Sequence, residues 1–355
     1  MNILDRYLYR TVISYTLLVM AVLMTLGSLF VFISQQSDIT AGGFTAGDAL
    51  LYTLLNLPQQ AFELLPIGAL IGALMGLGNL ASNSELVVTR ASGVSIWRVA
   101  WPVALAGLTL ALFMYALGEF IAPPMAQYAT REKAAATMSG VSFAGGQGAW
   151  IKDGNRILRV QSGDTEQVLG GVYVFELSGP NKLARVQRAQ SVSIADHGRW
   201  KLENVASTRF GDNHLSSSVL PEEQIDSSIN PEFLGLAALD PDLLTLKGLS
   251  TYIDHLRHNN LNTAAYEIGF WSRIARMVAI VVIVLLALPF VFGPLRTSGA
   301  GTRTVIGVLL GVVFFLVNRT IENGGELFAL EPALVGWLPT AIIGIGTLIA
   351  VARTR

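Results

Sequence analysis

The sequence predicts a multi-pass α-helical membrane protein, with six transmembrane helices and a β-domain inserted between the third and the fourth. Three observations carry this. Of 355 residues, 52% are hydrophobic and 14% charged, with a mean hydropathy of +0.52, whereas soluble domains are roughly 25% charged. Charge-free apolar runs of spanning length recur along the chain, and one long polar stretch between them alternates like β-structure.

A spanning helix needs about 20 mostly apolar residues, so charged residues mark the boundaries. None interrupts residues 11–37, 64–84, 99–118, 277–295 or 332–352. A sixth run, 304–318, is short before Arg319 but continues through Thr320 and Ile321. Arg6 and Arg10 precede the first run, whose apolar core far exceeds the roughly 7–15 residues of a signal-peptide core. It reads as a retained anchor. The domains expected are 1–122 (helices 1–3), 123–266 (outer β-domain and connecting helix) and 267–355 (helices 4–6).

Orientation follows from the cations of the short segments. Arg6, Arg10, Arg90, Arg98, Arg296, Arg303, Arg353 and Arg355 fall in the N-terminus, two alternate loops and the C-terminus. The opposite loops carry Asp38, Asp48 and Glu63, or Glu322, Glu326 and Glu331. Both termini are therefore expected in the cytoplasm. All five lysines lie in the long polar stretch, which does not offend the rule because long domains translocate regardless of charge.

Within that stretch, Val172-Tyr173-Val174-Phe175-Glu176-Leu177, Val192-Ser193-Ile194 and Trp200-Lys201-Leu202-Glu203-Asn204-Val205 are β-rich runs. Turn signals at Asp153-Gly154-Asn155, Gly179-Pro180-Asn181 and Asp196-His197-Gly198 separate them, predicting a β-sandwich or jelly roll. Residues 246–258 then carry Leu249, Tyr252, Ile253 and Leu256 at helical spacing.

Much chemistry is excluded. Zero cysteines remove disulfides and thiolate sites. No P-loop, H-E-x-x-H or G-x-S-x-G motif occurs, so the chain neither binds ATP in the P-loop manner nor carries a familiar hydrolase site. His255 and His258 could share a helix face, but a solvated face is the better reading than a metal site. No metal and no catalytic residue is expected.

Ionisable groups near the spans are costly there and point to function. Arg273 and Arg276, at i and i+3, share a face near the outer end of the fourth helix; Arg319 stands near that of the fifth, and Glu119 near that of the third. Two readings stand: guanidiniums meeting an anionic head group by bidentate phosphate contacts, or snorkelling and internal pairing, for instance of Arg319 with Glu322 or Glu119.

Between the second and third helices, residues 81–98 form a polar island, ASNSELVVTRASGVSIWR. Asn83 or Ser84 suits a helix N-cap, Glu85 suits the first turn and Gly93 the stop. Leu86, Val87 and Val88 read as exposed apolar residues between Glu85 and Arg90. That fits a helix docking in a partner's groove, and equally a plain interhelical loop.

Taken together, Leu4-Asp5-Arg6-Tyr7, Tyr52-Thr53-Leu54-Leu55, Ser84-Glu85-Leu86-Val87-Val88 with Ala91-Ser92-Gly93, Ala238-Leu239-Asp240-Pro241 and Phe292-Gly293-Pro294-Leu295-Arg296 resemble the lipopolysaccharide export permease family LptF/LptG, over nearly the whole chain. The opening and the loop at 292–296 are nearer its G type than its F type. The resemblance implies a permease of an ABC-type exporter in the bacterial inner membrane, lifting lipopolysaccharide from the outer leaflet into a periplasmic protein bridge. It implies an LptF-like second permease, a homodimeric cytoplasmic ATPase that uses the ATP and Mg, and LptC-like and LptA-like periplasmic jelly-roll proteins. This chain itself needs no cofactor. The resemblance makes Ser84, Glu85, Leu86, Val87, Arg90, Ala91 and Gly93 the ATPase-coupling helix, and the β-domain a periplasmic jelly roll whose edge joins a similar domain.

Relatives of G type often carry Lys near the outer end of the first helix, but residues 30–37 here hold no cation, which leaves Arg273, Arg276 and Arg319 as phosphate candidates. The alternatives are a permease for another lipid or for lipoprotein, where four spans are expected, and a non-transporting anchor that displays a β-domain scaffold.

Overall fold

The computed structural model describes residues 2–39, 44–138, 149–160, 168–169, 171–179, 182–195, 199–211, 215–226, 243–292, 299–328 and 330–353. The motifs at 238–241 and 293–296, the turns at 180–181 and 196–198, and His197 and His214 lie outside them. The chain divides into two compact units: Met1–Gly140 with Ala264–Arg355, and Val141–Thr263.

The first unit is helical. Its elements are α1 (Ile3–Ser34), α2 (Gln36–Ile39), α3 (Ala46–Leu55), α4 (Leu57–Ser82), α5 (Glu85–Ala91), α6 (Ile96–Ala116) running through a π turn (Leu117–Ile121) into α7 (Ala122–Met138), then α9 (Ala264–Phe292), α10 (Ala300–Leu327) and α11 (Pro332–Arg353). Six of these helical stretches are long and apolar enough to cross a membrane, rather than the four of the lipoprotein-exporter alternative. Each extends beyond its charge-free run at one end or both. α9, for example, begins about three turns before residue 277 and carries Glu267, Arg273 and Arg276 within the helix, because backbone satisfaction favours continuing a helix to the head-group level.

α4 is the hub of this unit. It packs against α1, α9 and α10, and its core residues Leu65, Ala69, Leu70, Ala73, Leu74 and Leu77 are almost fully buried. Small residues let backbones approach where no hydrophobic effect drives helices together. At Gly72 a Cβ would stand 2.5 Å from the Thr16 Cα of α1.

Among the described residues, the second unit holds one antiparallel sheet of eight strands: β1 (Ala149–Asp153), β2 (Arg156–Val160), β3 (Val168–Leu169), β4 (Val172–Gly179), β5 (Lys182–Ala189), β6 (Ser191–Ala195), β7 (Arg199–Phe210) and β8 (Leu215–Asp226). Its order is β1-β2-β4-β5-β7-β6-β3, with β8 on the other edge of β7. The three β-rich runs read from the sequence fall in β4, β6 and β7.

A paired irregularity curls the sheet. Asn204 has φ 51°, its Nδ2 donates to Gln190 Oε1 at 3.1 Å, and Gln190 N donates to Glu203 O at 3.0 Å. An extra residue in a strand reverses which side chains face inward. Accordingly Trp200 and Leu202 are buried before Asn204, and Val205 and Ser207 after it. On β5 and β6 the parity switches likewise from Gln187 and Ala189 to Val192.

The curl lets opposite walls meet. Arg185 pairs in register with Arg209, and Glu223 with Leu202; those β7 positions would lie roughly 23 Å apart along a flat strand. Yet the Arg185 guanidinium holds the Glu223 carboxylate bidentately at 2.8 and 2.9 Å, with Gln187 Nε2 also donating to Glu223 at 2.7 Å and Arg185 Nε to Ser207 Oγ at 2.7 Å. The ion pair is a clasp across the interior.

Helix α8 (Leu246–His258) joins this unit. Leu249, Tyr252, Ile253 and Leu256 are buried as its spacing predicts. His255 Nε2 lies 3.3 Å from Lys152 O, and Gly154 N donates to Asn259 Oδ1 at 2.8 Å, so the helix end is held on the β1–β2 hairpin. His258 Nδ1 instead lies 2.7 Å from Asp254 O of its own helix.

Two outcomes test this unit. Glu223→Ala, which strands a largely buried guanidinium, is expected to cost up to about 3 kcal/mol in melts of the full chain; Lys201→Ala, at the exposed Lys201–Glu222 pair, should stay within about 0.5 kcal/mol. Burial holds the His255 imidazole below its usual pKa, against the opposing Lys152 carbonyl and the Asp153 charge. The neutral ring is the folded form, so stability is full above about pH 6.5 and falls as the unfolded state takes up the proton below it. His255→Gln should flatten that acid-side loss.

Candidate functional site

α5 is a seven-residue helix set between two tight turns. Ser84 stands at its N-cap with φ 63°, and no side chain caps the helix. The expected cap by Asn83 or Ser84 is therefore not made; Ser84 acts through its backbone, turning the chain sharply out of α4. At the other end Gly93 has φ +90°, a left-handed stop that suits glycine, with open space around it. Ser95 then caps α6, its Oγ accepting from Arg98 N at 3.3 Å.

The expectation that Leu86, Val87 and Val88 all face outward is corrected for Leu86. Its side chain is 1% exposed and belongs to the main apolar core of the helical unit, because one face of so short a helix must be buried to hold it in place. Val87 is half-buried, and Glu85, Val88, Ala91 and Ser92 are exposed. The outward face is thus mixed and narrow.

Three further contacts hold α5. Tyr7 Oη of α1 donates to Glu85 Oε2 at 2.8 Å. Arg98, one turn into α6, pairs with the buried Asp5 at 3.0 Å, and Asp5 also accepts from Asn2 N at 3.0 Å. The Arg90 guanidinium lies 5.8 Å from the centroid of the Phe292 ring at the end of α9. Asp5, Tyr7 and Phe292 stand in the family-like motifs of the sequence, but no role could be read for them there, because their partners lie up to two hundred residues away.

A second constellation forms where α4, the π turn and α9 meet. Arg273 is 2% exposed; its Nη2 donates to Gly118 O at 3.0 Å, and its guanidinium stands 4.9 Å from the Phe62 centroid. A π turn disturbs the helical ladder, and Arg273 serves a carbonyl within it. Arg276 is half-buried, 5.8 Å from the same ring, with Nε 3.4 Å from Ser272 O. Phe62 fits because residue 118 is glycine: a Cβ there would lie 2.5 Å from the ring. The structure therefore brings Arg273 and Arg276 together on one aromatic plate.

Arg319 lies elsewhere, on α10, its Nη1 3.8 Å from Glu322, which also accepts from Asn318 Nδ2 at 2.8 Å. One cation was not anticipated. Lys133 of α7 reaches Asp38 at 2.7 Å, Gln35 Oε1 at 2.6 Å and the Tyr52 ring at 5.2 Å, and so fastens the end of α1 to α3 and α7. Among the described residues, no three His, Cys, Asp or Glu side chains stand together as a metal site would need.

A family model described as the lipopolysaccharide export system permease LptF/LptG matches residues 6–353. The lipopolysaccharide export system permease protein LptG of Escherichia coli strain K12 is 32% identical over 342 residues, covering 96% of this chain and 95% of that protein. Its counterpart of the same name in Haemophilus influenzae is 30% identical over 355 residues, with 97% and 96% covered.

The packing predicts a contrast between two glycines. Gly118→Val should displace the Phe62 ring from the two guanidiniums and cost several kcal/mol, seen as a lower melting temperature of the purified chain. Gly93→Ala, limited to backbone strain, should cost about 1 kcal/mol.

Proposed function

Since this chain belongs to the lipopolysaccharide export system permease family LptF/LptG, a role in lipopolysaccharide transport is established, and we propose that it is the membrane half of an inner-membrane exporter driven by a separate ATPase. Nucleotide hydrolysis is assigned to that homodimeric cytoplasmic partner because the chain carries no P-loop motif. An LptF-like second permease completes the lipid cavity, and LptC-like and LptA-like jelly-roll proteins receive the lipid beyond it. Both termini and α5 are placed in the cytoplasm by the distribution of arginines, and the β-domain in the periplasm.

The observation that carries the coupling proposal is the build of α5: Leu86 is locked in the helical core while Glu85, Val88 and Ala91 face outward. A helix fixed on one side and presented on the other transmits a push instead of absorbing it. Closure of the ATPase moves α5 with α4 and α6, narrows the cavity and expels the lipid. Ser84 and Gly93 keep the lever short; Arg90 ties it to α9 through Phe292.

For the lipid, we assign phosphate contact first to Arg276, which is half-buried beside Phe62 and lies on the same face as Arg273. Arg273 contributes charge from beneath while holding the π turn. Arg319, 41% exposed beside Glu322, adds a second cationic point on α10. Guanidiniums take phosphate in the same fork geometry as carboxylate.

The proposal predicts that Glu85→Arg leaves insertion and folding intact but abolishes lipid release by the reconstituted complex; release at the normal rate would remove the lever. Arg276→Glu is expected to weaken the stimulation of ATP hydrolysis by lipopolysaccharide at least several-fold. An unchanged lipid dependence would leave Arg276 a snorkelling residue.

A further inference from the structure

The first two turns of α1 hold α5 from both sides. Tyr7 Oη donates to Glu85 Oε2 at 2.8 Å, at the start of α5. Past its end, Arg98 pairs at 3.0 Å with Asp5, which is 4% exposed. Asp5 and Tyr7 are two residues apart on α1, whereas Glu85 and Arg98 flank the whole elbow. No other element grips both flanks in this way among the described residues.

The two grips differ in kind. Asp5–Arg98 pairs a buried carboxylate with a guanidinium whose side chain is 43% exposed, and the Asn2–Asp5 capping arrangement fixes Asp5 in the first turn of α1. It joins α1 to α6 as a structural tie. Tyr7–Glu85 is exposed at both ends, and losing it leaves no buried group unsatisfied. Its energetic contribution to folding is therefore small, yet it decides where the Glu85 carboxylate points.

We propose that Tyr7 is the positioning residue for Glu85 in the coupling joint: its hydroxyl holds Oε2 so that Oε1 is presented to a donor on the ATPase, and it ties the movement of α5 to α1. The geometry supports both parts. A carboxylate at the start of a helix otherwise samples several rotamers, and ordering it in advance removes that cost at docking. Among the described residues no hydrogen bond reaches Oε1 of Glu85. α1 is also packed closely on α4, the two backbones meeting at Thr16 and Gly72, so a displacement of its first turns is passed along the helix rather than absorbed. The proposal rests on the coupling role assigned to α5 above and adds to it the residue and the helix through which the push is passed on.

The test uses the full complex in proteoliposomes, measuring lipopolysaccharide released per ATP hydrolysed for Tyr7→Phe, Glu85→Gln and the double variant. Phe keeps the ring and removes only the hydroxyl, so complex yield and melting temperature should match the parent protein. The expected result is a three- to tenfold fall in lipid released per ATP for Tyr7→Phe, the scale of one ordinary, solvent-exposed hydrogen bond. The double variant should fall no further than Glu85→Gln alone, because the two residues act as one unit. Tyr7→Phe at the parent ratio, or effects that multiply in the double variant, would overturn the proposal. If Glu85→Gln is itself silent, the coupling role of α5 fails first; if it is impaired and Tyr7→Phe is not, only the positioning role fails.

Discussion

The close approach of α1 to α4 underlies both side-chain constellations of the helical unit. At Gly72 the two backbones come so near that any side chain would collide with Thr16, and Leu8, Val12 and Met20 of α1 bury themselves in the core that α4 supplies. In a bilayer the solvent around the helices is as apolar as their own side chains, so association depends on shape and on backbone proximity. α4 satisfies this by being small on the faces it shares. The helix then delivers Phe62 to the constellation at one end and the elbow, α5, at the other.

At the elbow, this packing gives a seven-residue helix a rigidity it could not have alone, since isolated helices of that length do not persist in water. Leu86 supplies the apolar hold, and Tyr7, Arg90 and the Asp5–Arg98 pair supply direction. At the other end, the same principle turns an arginine into a fixture. Arg273 is held by a carbonyl and an aromatic face, which together offset the cost of keeping a guanidinium out of water. Arg276, one turn on, is less enclosed.

The β-domain solves a different problem. A single antiparallel sheet has two faces and must hide one, and here it does so by bending on itself at Gln190 and Asn204. The parity of buried residues reverses at the bend, so that Trp200 and Val205 both face the interior despite their odd separation. The Arg185–Glu223 clasp then ties one wall to the other.

The sequence alone determined the number of spanning helices, the place of the β-domain, the amphipathic face of α8 and the family, because each rests on composition, on charge boundaries or on a local period of two or 3.6 residues. It also located α5 and the stop at Gly93, where backbone demands are local. Only the tertiary structure decided that Leu86 points inward, that Arg273 and Arg276 share Phe62, that Lys133 meets Asp38 and that Tyr7 reaches Glu85. Those facts join residues tens to hundreds of positions apart, and no local pattern encodes which distant backbone will pass within a few ångströms of another.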